Sequence, residues 1–334
     1  MSVRRGETLR TGVVIVLVTA LSAAAPTVRL KPVPLRVAAV RNLGVPIFPW
    51  FGLPQTDQDG DLFFHVGGTT FNEASIMKLS HSSSAPTVYK LPPDIKSKYS
   101  FDEFTVTPGG IVWMLANNMV PELVAVEFNA NGEVRGKTLL DLDLNEVDIH
   151  GFSALDTGGV VIAGRYNNKA PLKLRSHSFL ALFDGNSGKR IRELTDTFPV
   201  ARGSEESTLA HQGETVTGDD GNIYVLDGSR MVVVRPGGEI GRRISFRKPD
   251  PALLTMQVRV SGGAAAVWLG MLNNQTGTVE FSFLVLDLSN GRPIGWFTAP
   301  EGFEGQAVGF SRSAGFQFLR RKEGHFEIVA TELR

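Results

Sequence analysis

The sequence of 334 residues contains no cysteine. This absence excludes disulfide bonds, thiolate catalysis, zinc–thiolate sites and iron–sulfur clusters, and it removes the residue to which a lipoprotein anchor is attached. An excess of one charge is also lacking, because 34 basic side chains are balanced by 34 acidic ones. The composition therefore predicts no electrostatic recruitment to nucleic acid or to an anionic membrane surface.

Long hydrophobic runs are scarce, and the main one lies near the N terminus. It covers residues 13–21, follows arginines at positions 4, 5 and 10, and precedes the small residues 22–25. This is the pattern of a secretory signal peptide, and the run is shorter than the ~20 apolar residues that span a membrane. We expect residues 1–24 to be cleaved after Ala24. The remainder, 25–334, is then exported to the periplasm or the medium as a single domain without a stable membrane anchor.

Glycine, in contrast, is plentiful and recurs with a period. Six turn glycines follow one another at intervals of about 51 residues, at positions 60, 110, 159, 221, 263 and 315. Each lies between two β-prone runs, and in the first five an Asp-Gly or Gly-Gly pair supplies the positive φ that a tight hairpin turn requires. A second turn follows at a similar distance in each complete unit. Each unit therefore reads as a four-stranded antiparallel meander, the size of a propeller blade.

The two ends of the chain complement each other. The last unit ends at Arg334 after three predicted strands, and a strand-like segment without a local partner, residues 34–41, precedes the first unit. Pairing them hides both sheet edges. The sequence therefore predicts an all-β fold: a six-bladed β-propeller of four-stranded antiparallel blades, closed by an N-terminal strand on the C-terminal blade. The predicted blades cover residues 46–97, 98–145, 146–200, 206–250, 252–300 and 303–334. Helical turns are predicted only at 93–98 and 204–210.

The fourth unit carries the clearest family pattern. Residues 218–228, Gly-Asp-Asp-Gly-Asn-Ile-Tyr-Val-Leu-Asp-Gly, followed by the apolar run 231–234, resemble an NHL-type blade of the six-bladed, TolB-like propellers. The turns at 184–189 and 287–292 are similar to repeats of quinoprotein propellers, which have eight blades. Units of about 51 residues favour six blades, so we expect no quinone cofactor.

Propellers bind ligands where their innermost strands converge on the central channel. Residues seven to ten positions before each turn glycine are therefore predicted to surround one channel mouth. They are Trp50, Asp102 or Glu103, His150, His211, Met256 or Gln257, and Gln306. Imidazole and carboxylate groups bind zinc-like ions, oxygen ligands suit calcium, and the same groups can act as general bases. A channel of polar residues bridged by water is the other interpretation.

Two functional hypotheses follow from these residues. The resemblance to six-bladed lactonases implies a channel calcium held by Glu, Asn and Asp, and amidating-lyase propellers use histidine-bound zinc. This sequence instead offers His150, His211 and Gln306 at the corresponding places, with Asp102 or Glu103 as the acid. We therefore expect a monomeric, non-catalytic module that binds a small ligand or a protein, without a cofactor. The alternative is a metal-dependent hydrolase or lyase that uses calcium or zinc, with catalytic candidates Asp102, Glu103, His150 and His211.

Some charged segments are expected to be only solvated surface. Aspartates alternate along residues 57–61 as in a calcium loop, but the glycine and glutamate that an EF-hand needs at its sixth and twelfth positions are Leu62 and Gly68. We therefore predict a solvated hairpin turn there. The basic clusters at 242–243 and 320–322 are likewise predicted to face solvent.

Overall fold

Six sheets form a ring in the computed structural model of the protein. The structure describes residues 30–46, 51–67, 74–80, 85–118, 122–142, 145–175, 178–194, 214–273, 278–303, 306–313 and 315–333. The predicted signal peptide, Trp50, His211 and the predicted helical turn at 204–210 lie outside these residues. The predicted all-β, six-bladed architecture is confirmed.

The chain begins with two strands that belong to later blades, and then builds the ring in order. These strands are β1 (Val33–Pro34) and β2 (Arg36–Pro46). Blade 1 contains β3 (Phe51–Thr56), β4 (Leu62–Val66), β5 (Ser75–Leu79) and β6 (Thr87–Lys90). After helix α1 (Pro93–Lys96), blade 2 contains β7 (Ser100–Val106), β8 (Val112–Asn117), β9 (Leu123–Phe128) and β10 (Val134–Leu140). Blade 3 contains β11 (Val147–Ala154), β12 (Gly159–Tyr166), β13 (Ser178–Asp184) and β14 (Arg190–Glu193).

The second half of the ring repeats this plan. Blade 4 contains β15 (Glu214–Thr217), β16 (Ile223–Asp227), β17 (Arg230–Val234) and β18 (Ile240–Ser245). Blade 5 contains β19 (Leu254–Ser261), β20 (Ala264–Asn273), β21 (Thr278–Asp287) and β22 (Pro293–Thr298). Blade 6 contains β23 (Gln306–Ser311), β24 (Gly315–Lys322) and β25 (His325–Glu332), with β2 as its outer strand. The described part of the chain has no helix long and apolar enough to cross a membrane.

Apolar clusters fill the seams between neighbouring blades, one cluster for each of the six seams. In β8, for example, Trp113 and Leu115 pack towards blade 3, whereas Val112 and Met114 pack towards blade 1. Side chains alternate between the two faces of a strand, so a strand buried on both faces reads as a continuous apolar run. This explains why the runs after the turn glycines are mostly apolar.

The ring closes as predicted, through antiparallel pairing of β2 with β25. Val37 lies opposite Thr331, and Val40 lies opposite Val329. The N-terminal segment also makes a contact that the sequence did not predict, because β1 pairs in parallel with β22 of blade 5. Between the two strands, the Leu35 N–H donates to Thr298 O at 3.1 Å, and its side chain is buried in the seam between blades 5 and 6. One short segment thus holds two blades.

The contact of residues 33–35 with blade 5 takes the place of a turn that other blades have between their third and fourth strands. In blade 3, the turn between the third and fourth strands packs on the outer strand of blade 2, where Thr138 Oγ1 donates to Gly185 O at 2.6 Å. Gly188 of that turn has a φ of 71°, and an added Cβ would fall on the carbonyl of Leu139. Blade 6 receives its fourth strand from the N terminus and has no such turn, so residues 33–35 pack on blade 5 instead.

The turn and helix predictions need few corrections. In the first turn of blade 3, the residue with positive φ is Gly158, at 88°, rather than Gly159. Helix α1 confirms the helical turn predicted at residues 93–98. The turn at 57–61 is a hairpin, but it is not simply solvated, because Asp61 is buried and lies 2.8 Å from Lys78 Nζ.

The basic clusters behave differently from each other. Residues 242–243 are exposed, as expected. In the other cluster, Arg320 is only half-exposed, because its Nε donates to Glu327 Oε2 at 2.7 Å and its guanidinium lies 5.7 Å from the ring centre of Phe303. The expectation of a solvated face is therefore wrong for this arginine, which pairs across its hairpin.

Candidate functional site

Irregular pairing interrupts the innermost strand of five blades. In four of them the pairing skips a single residue at an equivalent place, namely Asp102, His150, Met256 and Val308. A bulge bends the strand and re-aims its side chains, which shifts the alternation of faces beyond it. Three of the residues predicted to surround the channel mouth therefore lie on bulges.

A cavity of about 200 Å³ lies in the channel between these strands. The described residues that line it are Gln55, Thr56, His65, Phe101, Asp102, Glu103, Phe104, Thr105, Val106, Phe152, Thr215, Val216, Thr217, Gln257 and Arg259. Pockets for drug-sized ligands hold roughly 300–1,000 Å³. The cavity therefore suits a small molecule or a cluster of waters.

Some of the polar lining residues tie one blade to the next. Gln55 Nε2 donates to Phe104 O at 2.8 Å, and Gln55 Oε1 accepts from Val106 N at 3.0 Å. Thr217 Oγ1 donates to Ala154 O at 2.7 Å. These hydrogen bonds satisfy main-chain groups of a neighbouring innermost strand. They hold the shape of the channel and leave the chemistry of the cavity to other residues.

The wall formed by blade 2 is acidic. Asp102 and Glu103 both line the cavity, at the bulge of β7. Asp102 is exposed by its surface area, yet desolvation by the surrounding protein raises the pKa of its carboxyl above the ordinary value. A hydrogen bond with the side chain of Asn117 acts in the opposite direction and only partly offsets the effect on the pKa.

The wall formed by blade 5 carries an amide and a fixed cation. Gln257 and Arg259 both line the cavity from β19. Arg259 Nη1 donates to Val258 O at 2.9 Å and Nη2 to Pro54 O at 3.5 Å, and the guanidinium lies 5.8 Å from the ring centre of Trp268. Arginine stays charged in proteins. These contacts therefore hold a permanent positive charge at the wall.

His65 lines the cavity although it lies on β4, the second strand of blade 1. Blade 1 pairs irregularly beside it, because Phe51 lies opposite His65 and the next pair is Gln55 with Phe63. The imidazole lies 4.3 Å from the ring centre of Phe101, and burial lowers its pKa. The neutral imidazole is therefore favoured at neutral pH. Neither this residue nor Arg259 was a predicted site residue, and no motif marks them.

The predicted site residues are only partly brought together. Asp102, Glu103 and Gln257 line the cavity, whereas His150 is half-buried at the bulge of β11 and is not among the described lining residues. Met256 is exposed, and Gln306 begins β23. Trp50 and His211 lie outside the described residues. Within the described part of the chain, no three His, Asp or Glu side chains are grouped to hold a metal ion.

No protein-family model matches the chain, and no curated protein matches it. The calcium-binding protein regucalcin of Agrobacterium tumefaciens is 14% identical, over 91% of this chain and 98% of that one, with a TM-score of 0.49. The Pan2 WD40 domain of Neurospora crassa is 12% identical, over 91% and 98%, with a TM-score of 0.46. A Bacteroides caccae protein of unknown function is 12% identical, over 73% and 80%, with a TM-score of 0.45.

Replacing Asp102 with asparagine is expected to raise the melting temperature at neutral pH. Burial raises the pKa of Asp102 above 3.8. Ionisation of this carboxyl therefore lowers the free energy of unfolding, and the full loss is present at every pH above the raised value. The cost fades as the pH falls towards 3.8, and the two melting curves should then converge. Thermal unfolding of both proteins from acidic to neutral pH measures this difference.

Asp94 provides a control of opposite sign. The Asp94 carboxyl is exposed, and its hydrogen bond with Lys137 lowers its pKa. Asp94→Asn should therefore lower the melting temperature slightly at neutral pH, with the loss fading below the ordinary pKa. A fall in the melting temperature of Asp102→Asn at neutral pH would contradict the assignment of a desolvated carboxyl in the cavity.

Proposed function

We propose that the protein is a non-catalytic binding module that holds a small polar ligand in its central channel. The observation that carries this proposal is the cavity of about 200 Å³, which Asp102, Glu103, Gln257 and Arg259 line from two different blades. The walls are strands packed on both faces, so the groups are positioned before a ligand arrives. Such preorganisation reduces the entropy that binding must otherwise overcome.

Binding is favoured over metal-assisted hydrolysis by the groups that meet in the cavity. A metal-dependent site needs several ligands that share one ion. In the described part of the channel, the two carboxylates of blade 2 are joined by an amide, a guanidinium and an imidazole that favours its neutral form. Amides and guanidinium groups orient ligands through hydrogen bonds, which is the role the proposal requires.

We further propose that the protein is exported. Support comes from the basic start, the short apolar run at residues 13–21 and the small residues that follow. The mass of the protein recovered from the periplasm or the medium of an expressing bacterium tests this. Loss of residues 1–24 is the expected result, whereas an intact N terminus on protein retained in the cytoplasm would overturn the proposal.

The binding proposal predicts that a compound from a library of small polar metabolites stabilises the protein against heat. A ligand that binds only the folded state raises its stability in proportion to the logarithm of its concentration over Kd. Gln257→Trp fills the cavity and should abolish the stabilisation. Glu133→Gln changes an exposed residue outside the channel and should leave it intact. Circular dichroism establishes that both variants are folded.

Two results would overturn the proposal. One is a library that stabilises neither wild type nor Glu133→Gln at millimolar concentration. The other is a ligand that stabilises folded Gln257→Trp as strongly as wild type, since it would then bind elsewhere on the molecule.

A further inference from the structure

We infer that the ligand of this cavity is a small primary ammonium ion with an apolar body, a molecule of the alkylamine type. The inference rests on the proposed function and assigns its ligand class. It follows from the carboxylate of Asp102, which lines a cavity whose other charged side chains already have partners within the protein.

The charged groups of the cavity differ in how they are occupied. Three of the described side chains that line it carry a charge at neutral pH, namely Asp102, Glu103 and Arg259. Glu103 and Arg259 both interact with other groups of the protein, and Arg259 donates to the Val258 carbonyl at 2.9 Å. Their charges are therefore engaged before a ligand arrives. The charge that the cavity presents to a ligand is that of Asp102.

The carboxyl of Asp102 has a neutral partner. A hydrogen bond with the side chain of Asn117 and desolvation are the influences on its pKa that come from the described residues, and neither is a positive charge. A carboxylate has about four lone-pair sites, so this hydrogen bond leaves room for the N–H groups of a ligand. A cation that binds there offsets the cost of desolvation, whereas a neutral ligand does not and an anion adds to it.

The bulge of β7 places an aromatic ring and this carboxylate in the same cavity. Adjacent side chains of a regular strand point to opposite faces, but the pairing skips Asp102, and both Phe101 and Asp102 line the cavity. Phe101 is half-buried, and its ring centre lies 4.3 Å from that of His65. Aromatic faces attract cations. An ammonium group in this cavity thus has both a carboxylate and ring surface available.

The remaining lining suits the other parts of such a molecule. Phe104, Phe152 and Val216 line the cavity and provide apolar surface against which an alkyl or aryl body is removed from water. The side chains of Thr56 and Gln257 contribute oxygen atoms that can accept N–H groups. These acceptors favour a primary ammonium, which has three N–H groups, over a quaternary one, which has none. The volume of about 200 Å³ restricts the ligand to a small molecule.

Other ligand classes fit this lining less well. A carboxylate must approach the negative charge of Asp102, and a neutral polyol leaves that charge without a counterion. A metal ion needs several ligands around one point, and the described residues contain no group of three His, Asp or Glu side chains that could hold one. Complementarity of charge is a main source of specificity in binding, and here it favours an organic cation.

Isothermal titration calorimetry at neutral pH tests the inference with probes that differ in their head group. The amines are ethylamine, butylamine and benzylamine. The matched compounds are 1-butanol, which lacks the charge, butanoate, which inverts it, and tetramethylammonium, which carries it without N–H groups. At least one amine should bind at least tenfold more tightly than each matched compound, because only a primary ammonium combines the charge with hydrogen-bond donors.

Variants assign the ammonium group to Asp102. Asp102→Asn keeps the shape of the side chain without its charge, and should weaken the best amine at least tenfold while leaving 1-butanol unchanged. Phe101→Leu removes the ring and should weaken the amine about threefold. Asp94→Asn makes the same change of charge on helix α1, outside the channel, and should bind like wild type. Circular dichroism establishes that each variant is folded.

The outcomes separate this inference from the proposed function. If 1-butanol, butanoate or tetramethylammonium binds as tightly as every amine, and Gln257→Trp abolishes that binding, the ammonium inference is overturned and the binding function stands. Equal amine binding by folded Asp102→Asn and wild type also overturns the inference, as does calcium chloride that binds more tightly than every amine. If no compound of either the series or the metabolite library binds, both are overturned.

Discussion

The pairing of β2 with β25 is the constraint on which the rest of this structure depends. Every blade is apolar on both faces, so each needs a neighbour on both sides, and a row of six blades satisfies this only when it closes into a ring. Closure here relies on a segment from the far end of the sequence, 36–46, and is reinforced by the contact of residues 33–35 with blade 5. Without it, blade 6 would expose an open edge, and two seams would lose packing.

The cavity depends on closure because its walls are the innermost strands. Packing in the six seams sets the separation of these strands. The hydrogen bonds of Gln55 and Thr217 join neighbouring innermost strands and hold them in place relative to each other. A rigid frame can hold groups that oppose stability, such as the desolvated carboxyl of Asp102. Functional sites commonly carry such a cost.

The sequence predicted the frame because the frame follows local rules. Turn glycines, apolar runs and the unpaired strand near Val37 are visible without knowledge of tertiary contacts. The site was less accessible because each bulge shifts the alternation of faces by one residue. Counting along a regular strand thus left Asp102 and Glu103 as alternatives, although both line the cavity. His65 lines it from the second strand of blade 1 and Arg259 from blade 5, and no motif marks either residue.

Cross-linking tests ring closure most directly, and the absence of cysteine makes it simple. Arg36 lies opposite Glu332 in the pairing of β2 with β25, and residues directly opposite in antiparallel strands can approach closely enough for a disulfide. The Arg36→Cys/Glu332→Cys variant should therefore oxidise to an intramolecular disulfide, detected by peptide mass spectrometry, while Arg36→Cys/Lys322→Cys should not. A link in the second variant and none in the first would contradict the closed ring.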